Sequence, residues 1–221
     1  SQPTPGDFKK IYNFISSHYN SIISIHLSKK LSGTYQSAFN AAKSIKIKNM
    51  KIIDSYSASV GLGLLSIYAV DLKQEGKTYN KIIDKIEEQK EKIQVFLLLN
   101  DLTYVVRGGR LPQKIKTIAN FLRLRPVLGT KKGKLTARGL LYGHSKRVEK
   151  FVKFLRSKIK EDKKYHIMIA HANDINNGEK LLNLLLQNHS NITKHYLLEL
   201  GGALGAHAGP GGLAVGIQER D

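Results

Sequence analysis

A serine near the start of the chain and a histidine near its end are the residue types that act together in nucleophilic catalysis. Ser32 lies in a hydroxyl-rich turn with Gly33 and Thr34, and His207 lies in a glycine-rich stretch. A serine activated by a histidine attacks ester carbonyls, provided that an acid orients the histidine and N–H groups stabilise the oxyanion. Asp54 could be that acid, although an Asp before a serine also caps turns. A lipid or ester hydrolase is therefore one hypothesis.

The sequence around Ser32 also favours a second chemistry, the binding of an anion. Residues 22–27 form a β-branched run typical of a buried strand, and residues 34–44 have the alanine-rich spacing of a helix. This order brings the unpaired N–H groups of the first helical turn close to Ser32. Such groups, with the positive end of the helix dipole, bind carboxylates and phosphates. Alternatively, Ser32 only caps the helix.

The glycine-rich stretch predicts a ligand-binding loop centred on His207. It lies between two apolar runs, residues 196–200 and 213–217, which we interpret as β-strands. Glycines allow positive φ angles and let another molecule approach the main chain closely. The remaining expected loop residues directly follow the histidine: Ala208, Gly209, Pro210 and Gly211.

Alternating strand and helix patterns indicate an α/β protein of two parts. Residues 1–92 predict a parallel sheet flanked by helices, and residues 93–221 predict a mixed α/β domain, with the ligand site between the two. Strands are expected at 22–27, 51–53, 95–99, 126–128, 134–135, 138–142 and 166–171, and helices at 8–18, 34–44, 64–76, 79–90, 113–122, 145–161 and 178–188. Gly133 is expected in the turn of a hairpin.

Composition limits the function classes. The chain has 221 residues, no cysteine and a formal net charge of +19, so disulfides and thiolate chemistry are excluded. No apolar run approaches the roughly 18–20 residues that span a bilayer, and we expect a cytoplasmic protein. Acidic residues intersperse with the lysines, as on solvated faces, so nucleic-acid binding is not expected despite the charge. No motif indicates a metal or a nucleotide.

One basic cluster differs from these solvated faces. Arg107 and Arg110 flank the Gly108–Gly109 turn instead of following a regular helix face. This placement favours a docking surface for an acidic partner. The alternatives are a solvated cluster and an internal ion pair with a residue such as Asp101.

Four segments together resemble the DegV family of fatty-acid-binding proteins. They are residues 31–38, 54–63, 102–111 and 207–211, which occur in the family's order and spacing. Two features differ from the family pattern. Family members usually begin with a further strand-rich stretch, and a ligand-binding threonine precedes the serine at which this chain opens, so we expect the first part to be incomplete at its start. Arg125 also stands where the family more often has lysine.

The resemblance implies a DegV-like fold and a carrier subunit that is not an enzyme. In the family, the matching serine and histidine hydrogen-bond the carboxylate of a fatty acid, such as palmitate or oleate, and do no chemistry on it. No catalytic residue and no cofactor are implied. The implied carboxylate-binding residues are Ser32, Gly33, Thr34 and His207. A separate fatty acid kinase subunit, docking at Arg107 and Arg110, would phosphorylate the bound acid for phospholipid synthesis.

A bound acyl tail requires a long apolar slot. We expect its walls to come from apolar strand and helix positions of the second part of the chain. The expected lining residues are Leu97, Leu99, Ile118, Phe121, Leu122, Ile167 and Ile169.

Overall fold

The computed structural model describes residues 2–45, 47, 49–121, 124–143, 145–187 and 189–220, and of residues 118–121 it describes the backbone alone. The elements are α1 (Pro5–Ser16), β1 (Ile22–His26), α2 (Thr34–Lys43), β2 (Met50–Asp54), α3 (Val60–Gln74), α4 (Tyr79–Gln89), β3 (Gln94–Leu98), α5 (Thr103–Arg107), α6 (Gln113–Phe121), β4 (Leu124–Lys131), β5 (Lys134–Tyr142), α7 (Arg147–Arg156), β6 (Lys164–His171), α8 (Ile175–Leu186), β7 (Ile192–Glu199), α9 (Gly202–Ala208) and β8 (Leu213–Arg220).

The first strands form a small parallel sheet. β1 pairs with β2, with Ile22 opposite Met50 and His26 opposite Asp54. Helix α1 begins with a capping box, in which the Thr4 side chain accepts the N–H of Asp7 and the Asp7 carboxylate accepts the N–H of Thr4. The helix packs against α2, which follows the turn that carries Ser32.

The later strands form one six-stranded mixed sheet in the order β5-β4-β3-β8-β6-β7. Its pairs are antiparallel except for β6 with β7. Period-two alternation sends β8 residues to opposite faces: Val215 joins the core that contains α7 and α8, and Ala214 joins the core that contains α3 and α4. The predicted fold class, a parallel sheet with helices followed by a mixed α/β part, is confirmed. The division at residues 92 and 93 stays a prediction.

The turn between β4 and β5 confirms the predicted hairpin. Lys132 has φ 48° and Gly133 has φ 79°, the two positive values that a two-residue turn between antiparallel strands requires. The Ser28 hydroxyl donates to the Gly133 carbonyl at 2.8 Å, so the hairpin tip is tied to the segment that follows β1. This contact joins the six-stranded sheet to the turn that carries Ser32.

Two short helices differ from the sequence prediction. The stretch around His207, expected to be a loop between strands, contains helix α9, and its chain reverses only at Gly209, with φ 69°, and Gly211, with φ 75°. Helix α5 was not predicted. Both are too short to show helical periodicity, and glycine content argues against a helix in the first case. The helix predicted at 145–161 is also shorter and ends at Arg156.

Candidate functional site

A mainly apolar cavity of about 500 Å³ lies on the sheet face that α3, α5 and α9 cover. This volume falls within the range of roughly 300–1,000 Å³ that is typical of small-molecule sites. Apolar side chains from segments next to the small parallel sheet and from the six-stranded sheet and its helices form the wall. They are Leu27, Leu31, Ala58, Leu62, Val95, Leu97, Leu99, Val105, Leu135, Leu200, Leu204 and Ala214. Its volume and its apolar lining suit an apolar ligand.

The cavity also has a polar group of side chains. Ser32, Thr34, Arg110 and His207 all line it, so the structure brings the serine and the histidine from opposite ends of the chain to one site. The Ser32 hydroxyl lies 2.9 Å from the Thr34 hydroxyl and accepts the Thr34 N–H at 3.3 Å. Gly33 is the N-cap residue of α2, so no N-cap side chain accepts a hydrogen bond from the first turn of the helix. Ser32 therefore contributes to capping and also faces the cavity.

Gly33 and Gly108 place their neighbours by lacking a side chain. A Cβ atom on Gly33 would overlap the side-chain amide of Gln2, and one on Gly108 would overlap the imidazole of His207. Because α5 and α9 pack on each other, the His207 ring lies over the backbone at Gly108. The absence of a side chain at Gly108 thus contributes to the position of His207.

The electrostatic surroundings favour the neutral form of His207. Burial and the nearby Arg110 guanidinium lower the pKa of His207 below its ordinary value. A carboxylate at this point would have the opposite effect, since a nearby negative charge favours the imidazolium. Two groups at the site therefore favour an anion: Arg110 carries a positive charge, and His207 can gain a proton.

Arg107 and Arg110 are both exposed to solvent, but Arg110 lines the cavity and Arg107 does not. The Arg110 Nε donates to the Leu31 carbonyl at 3.3 Å, and its Nη1 donates to the Gly108 carbonyl. Asp101, the alternative partner for these arginines, accepts hydrogen bonds from the N–H and hydroxyl of Thr103 at 2.8 and 2.6 Å. The two arginines thus occupy different environments, although the sequence suggests one role for both.

A polar network anchors the turn that follows His207. Arg147 donates to the Gly211 carbonyl at 3.1 Å and to the side-chain oxygen of Asn100, and it forms an ion pair of 2.8 Å with Asp174. The Asn100 amide donates to the Pro210 carbonyl at 3.1 Å. Of the four predicted loop residues, Ala208 alone lines the cavity, whereas Gly209, Pro210 and Gly211 form the anchored turn.

The geometry does not assemble a catalytic triad. No hydrogen bond joins Ser32 to His207 among the described residues, and Asp54 lies outside the cavity wall, where its Oδ1 accepts the Tyr56 N–H at 3.0 Å. Asp54 is therefore a turn cap. His26 lies 2.8 Å from the Ser24 hydroxyl and 3.2 Å from that of Tyr12, so it is a buried structural histidine.

Comparisons with known proteins identify the family of this chain. The model of the family described as "Uncharacterised protein, DegV family" matches residues 1–220. This chain belongs to the DegV family. A DegV family protein of Thermus thermophilus, whose structure is described as fatty acid binding, shares 28% identity and a TM-score of 0.90, over 100% of this chain and 78% of that one.

Two curated relatives extend the comparison. A DegV domain-containing protein of Staphylococcus aureus is 32% identical over 82% of this chain and 64% of its own length. A protein of Thermotoga maritima named fatty acid-binding protein is 28% identical over 99% of this chain and 76% of its own length. The chain thus spans about two thirds to three quarters of these relatives.

The residues that line the cavity differ in part from those predicted to surround the acyl tail. Leu97 and Leu99 line it as predicted. The prediction for Ile167 and Ile169 is wrong, because both point to the opposite face of β6 and lie in the core with α7 and α8. The side chains of Ile118 and Phe121, and all of Leu122, fall outside the described residues. The sequence analysis missed the contributions of α3 and α9, such as Leu62 and Leu204, because apolar helix positions do not reveal which ones face a cavity.

The described part of this DegV chain contains no group of three or more metal-binding side chains. Over the same residues, no helix has both the length and the apolar character needed to cross a membrane.

Proposed function

We propose that this chain binds a long-chain fatty acid, such as palmitate or oleate, with its tail in the apolar cavity and its carboxylate at Ser32, Thr34 and His207. The observation that supports this most strongly is that apolar side chains, these polar groups and Arg110 line the same cavity. The fatty acid binding described for the relatives from Thermus and Thermotoga supports the same ligand class.

The energetics assign separate roles to the two ends of the ligand. Each methylene that leaves water contributes about 0.8 kcal/mol, so the tail dominates the affinity. A carboxylate that enters the protein needs new hydrogen bonds, and each charge-assisted bond contributes about 1.5–3 kcal/mol. The polar end therefore fixes the orientation of the acid, and the carboxylate stays at the cavity end that Arg110 and His207 define.

The same site supports a carrier role. We propose that a separate fatty acid kinase subunit phosphorylates the bound acid in the cytoplasm, with no catalytic residue and no cofactor supplied by this chain. Arg107 and Arg110 are the proposed docking residues. Both are exposed, and Arg107 gives the simpler test of docking because it does not line the cavity.

Mass spectrometry of an organic extract of the purified protein tests the ligand class. We expect a fatty acid in a stoichiometric amount. In titrations with a fluorescent fatty acid, Ser32→Ala and His207→Ala should each weaken binding by roughly 1–3 kcal/mol without unfolding the protein. Ser17→Ala, which removes an exposed hydroxyl bonded to the Phe14 carbonyl, is the control. Wild-type affinity in both site variants would contradict the assignment.

A hydrolase is the second candidate, since Ser32 and His207 do line one cavity. It predicts sustained turnover of an acyl ester, such as p-nitrophenyl palmitate, that Ser32→Ala abolishes. A carrier releases the free acid unchanged and does not turn over the ester.

A further inference from the structure

A second cavity, of about 380 Å³, lies at the other end of α3 from the fatty-acid site. Ala58, Ser59 and Leu62, around the start of α3, line the first cavity, whereas Asp71 near its end lines the second. The strands β6, β7 and β8 contribute His166, Lys194 and Arg220. We propose that this cavity is a binding site for a small phosphate-bearing anion, either inorganic phosphate or a phosphomonoester.

Buried polar atoms without protein partners point to a missing ligand. Among the described residues, His166 Nδ1, both amide atoms of Gln218 and Nη1 of Arg220 are buried and have no hydrogen-bond partner. His166 lines the cavity and is 5% exposed. Gln218 is fully buried behind the cavity wall and lies directly opposite His166 in the pairing of β6 with β8. Buried polar groups are normally hydrogen-bonded, because an unpaired one destabilises the fold by about 1–3 kcal/mol.

The charges around the cavity favour an anion. Asp71 is shared by two cations, since its Oδ2 lies 2.9 Å from Arg220 Nη2 and its Oδ1 lies 3.7 Å from Lys194 Nζ. Lys164 lines the cavity as a third cation, and Glu75 as a second carboxylate, which lies 3.9 Å from Lys77. The lining itself therefore has three cations against two carboxylates, and one of the carboxylates is already doubly engaged.

The state of His166 agrees with this charge balance. Burial, together with Arg220 and Lys194, lowers the pKa of His166 to about 4, although Asp71 acts in the opposite direction. Lys164 and Glu75 are the other charged groups that line the same cavity. Near neutral pH, the ring is uncharged and can donate one hydrogen bond to an oxyanion without adding a further positive charge.

A phosphate group fits this set of donors better than a carboxylate does. The cations come from three different strands, and the oxygens of a phosphate point in several directions, whereas those of a carboxylate lie in one plane. The planar fork of an arginine pairs with phosphate oxygens, and lysines act on phosphate as point charges. The guanidinium of Arg220 lies 4.6 Å from the centre of the Tyr68 ring, its Nη2 holds Asp71, and its buried Nη1 has no hydrogen-bond partner in the described part of the chain.

Nuclear magnetic resonance of the histidine rings tests the site in the whole chain, in a buffer free of phosphate. The probes are inorganic phosphate and glycerol phosphate, with acetate as the carboxylate control, and His166→Gln assigns the signal. We expect saturable shifts of the His166 signal, with its pKa raised because the bound anion favours the imidazolium. Tighter binding of glycerol phosphate than of inorganic phosphate would identify a phosphomonoester as the ligand; the reverse would identify free phosphate.

The variants Lys164→Met and Lys194→Met should each weaken phosphate binding by about tenfold, as the loss of one charge-assisted bond requires. Lys51→Met, at an exposed position on β2, is the matched control and should bind as the wild type does. An unchanged His166 signal at saturating probe, equal binding of acetate, or equal effects of all three lysine substitutions would overturn the proposal.

Discussion

The imidazole of His207 occupies the space in which a side chain at Gly108 would lie. Gly108 has φ −68° and ψ −7°, angles that any residue adopts, so its lack of a side chain matters only for this contact. Gly108→Ala should therefore keep the fold but displace the ring from the carboxylate. We expect fatty-acid affinity to fall by about tenfold, the loss of one charge-assisted hydrogen bond.

The control for this substitution is Gly202→Ala, at the start of α9. A Cβ atom there meets no other atom within 4 Å, so affinity should stay at the wild-type value. Titration with a fluorescent fatty acid, together with thermal unfolding, separates lost binding from lost stability. An unchanged affinity of Gly108→Ala would show that the ring position is not critical.

The pH dependence of binding should also depend on His207. In the free protein, burial and Arg110 keep the pKa of His207 low, and a bound carboxylate raises it. Binding therefore takes up a proton between the two pKa values, and affinity increases as the pH falls through that window. The trend reverses only near the pKa of the ligand's own carboxyl group, which is about 4 for side-chain carboxyls.

Calorimetry in buffers of different ionisation enthalpy measures this proton uptake directly. The wild type should take up a fraction of a proton, whereas His207→Gln should take up none. Proton uptake that persists in His207→Gln would assign the linkage to another group.

Arg147 should stabilise both the fold and the site. Its bonds to Asp174, Asn100 and the Gly211 carbonyl hold the turn after His207, and the ion pair is largely shielded from solvent, with 15% and 19% of the two side chains exposed. Arg147→Met should lower the free energy of unfolding by about 1–3 kcal/mol, because the Asp174 carboxylate loses its cation and, among the described residues, keeps only its bonds to Asn177, and the Gly211 carbonyl loses the Arg147 donor. Urea denaturation measures the change.

Lys180→Met is the matched control for Arg147→Met. Its ion pair with Glu149, at 2.9 Å, has 50% and 40% of the side chains exposed, so its loss should change stability by less than about 1 kcal/mol. Fatty-acid affinity should fall in Arg147→Met alone. Equal effects of the two substitutions on stability and on affinity would show that the bonds of Arg147 to the turn after His207 are not important for either.

The partner surface can be tested at Arg107 without disturbing the cavity. Arg107→Glu should slow acyl-phosphate formation with the proposed kinase subunit and make it less sensitive to salt, since exposed interface charges act mainly on the encounter rate. Fatty-acid affinity should not change. Arg110→Glu should impair both steps, because Arg110 lines the cavity and bonds to the Leu31 carbonyl. A wild-type rate with wild-type salt sensitivity in Arg107→Glu would exclude docking at this residue.

The order of strands and helices could be predicted because hydrophobic periodicity reports which face of an element is buried. Leu97 and Leu99 alternate with Leu98, and the structure sends Leu98 to the opposite core. Periodicity cannot tell which of two buried faces of a strand lines a cavity. For this reason the sequence predicts Ile167 and Ile169 in the cavity wall, whereas they lie in the core on the opposite face. Helix α9 could not be predicted either, since its glycines are tolerated through packing against α5, a tertiary contact.

The cavity wall itself should set the preferred length of the acyl tail. Ala214 lines the cavity and pairs with Leu97 across β8 and β3, and it is 1% exposed. Ala214→Leu should place its added carbons in space that the tail occupies. The longest acids should then lose affinity by about 0.8 kcal/mol for each methylene that no longer enters, so the preference should shift toward shorter chains.

A series of saturated fatty acids of increasing length, titrated by calorimetry, measures the shift in preference. Val215→Leu is the matched control, because Val215 is the next residue of β8 and points into the opposite core. This control enlarges a buried side chain and shares any general loss of stability, but its order of preference among the acids should remain that of the wild type. An unchanged order in Ala214→Leu would mean that the tail does not pass β8, and the proposed position of the acyl chain would be wrong.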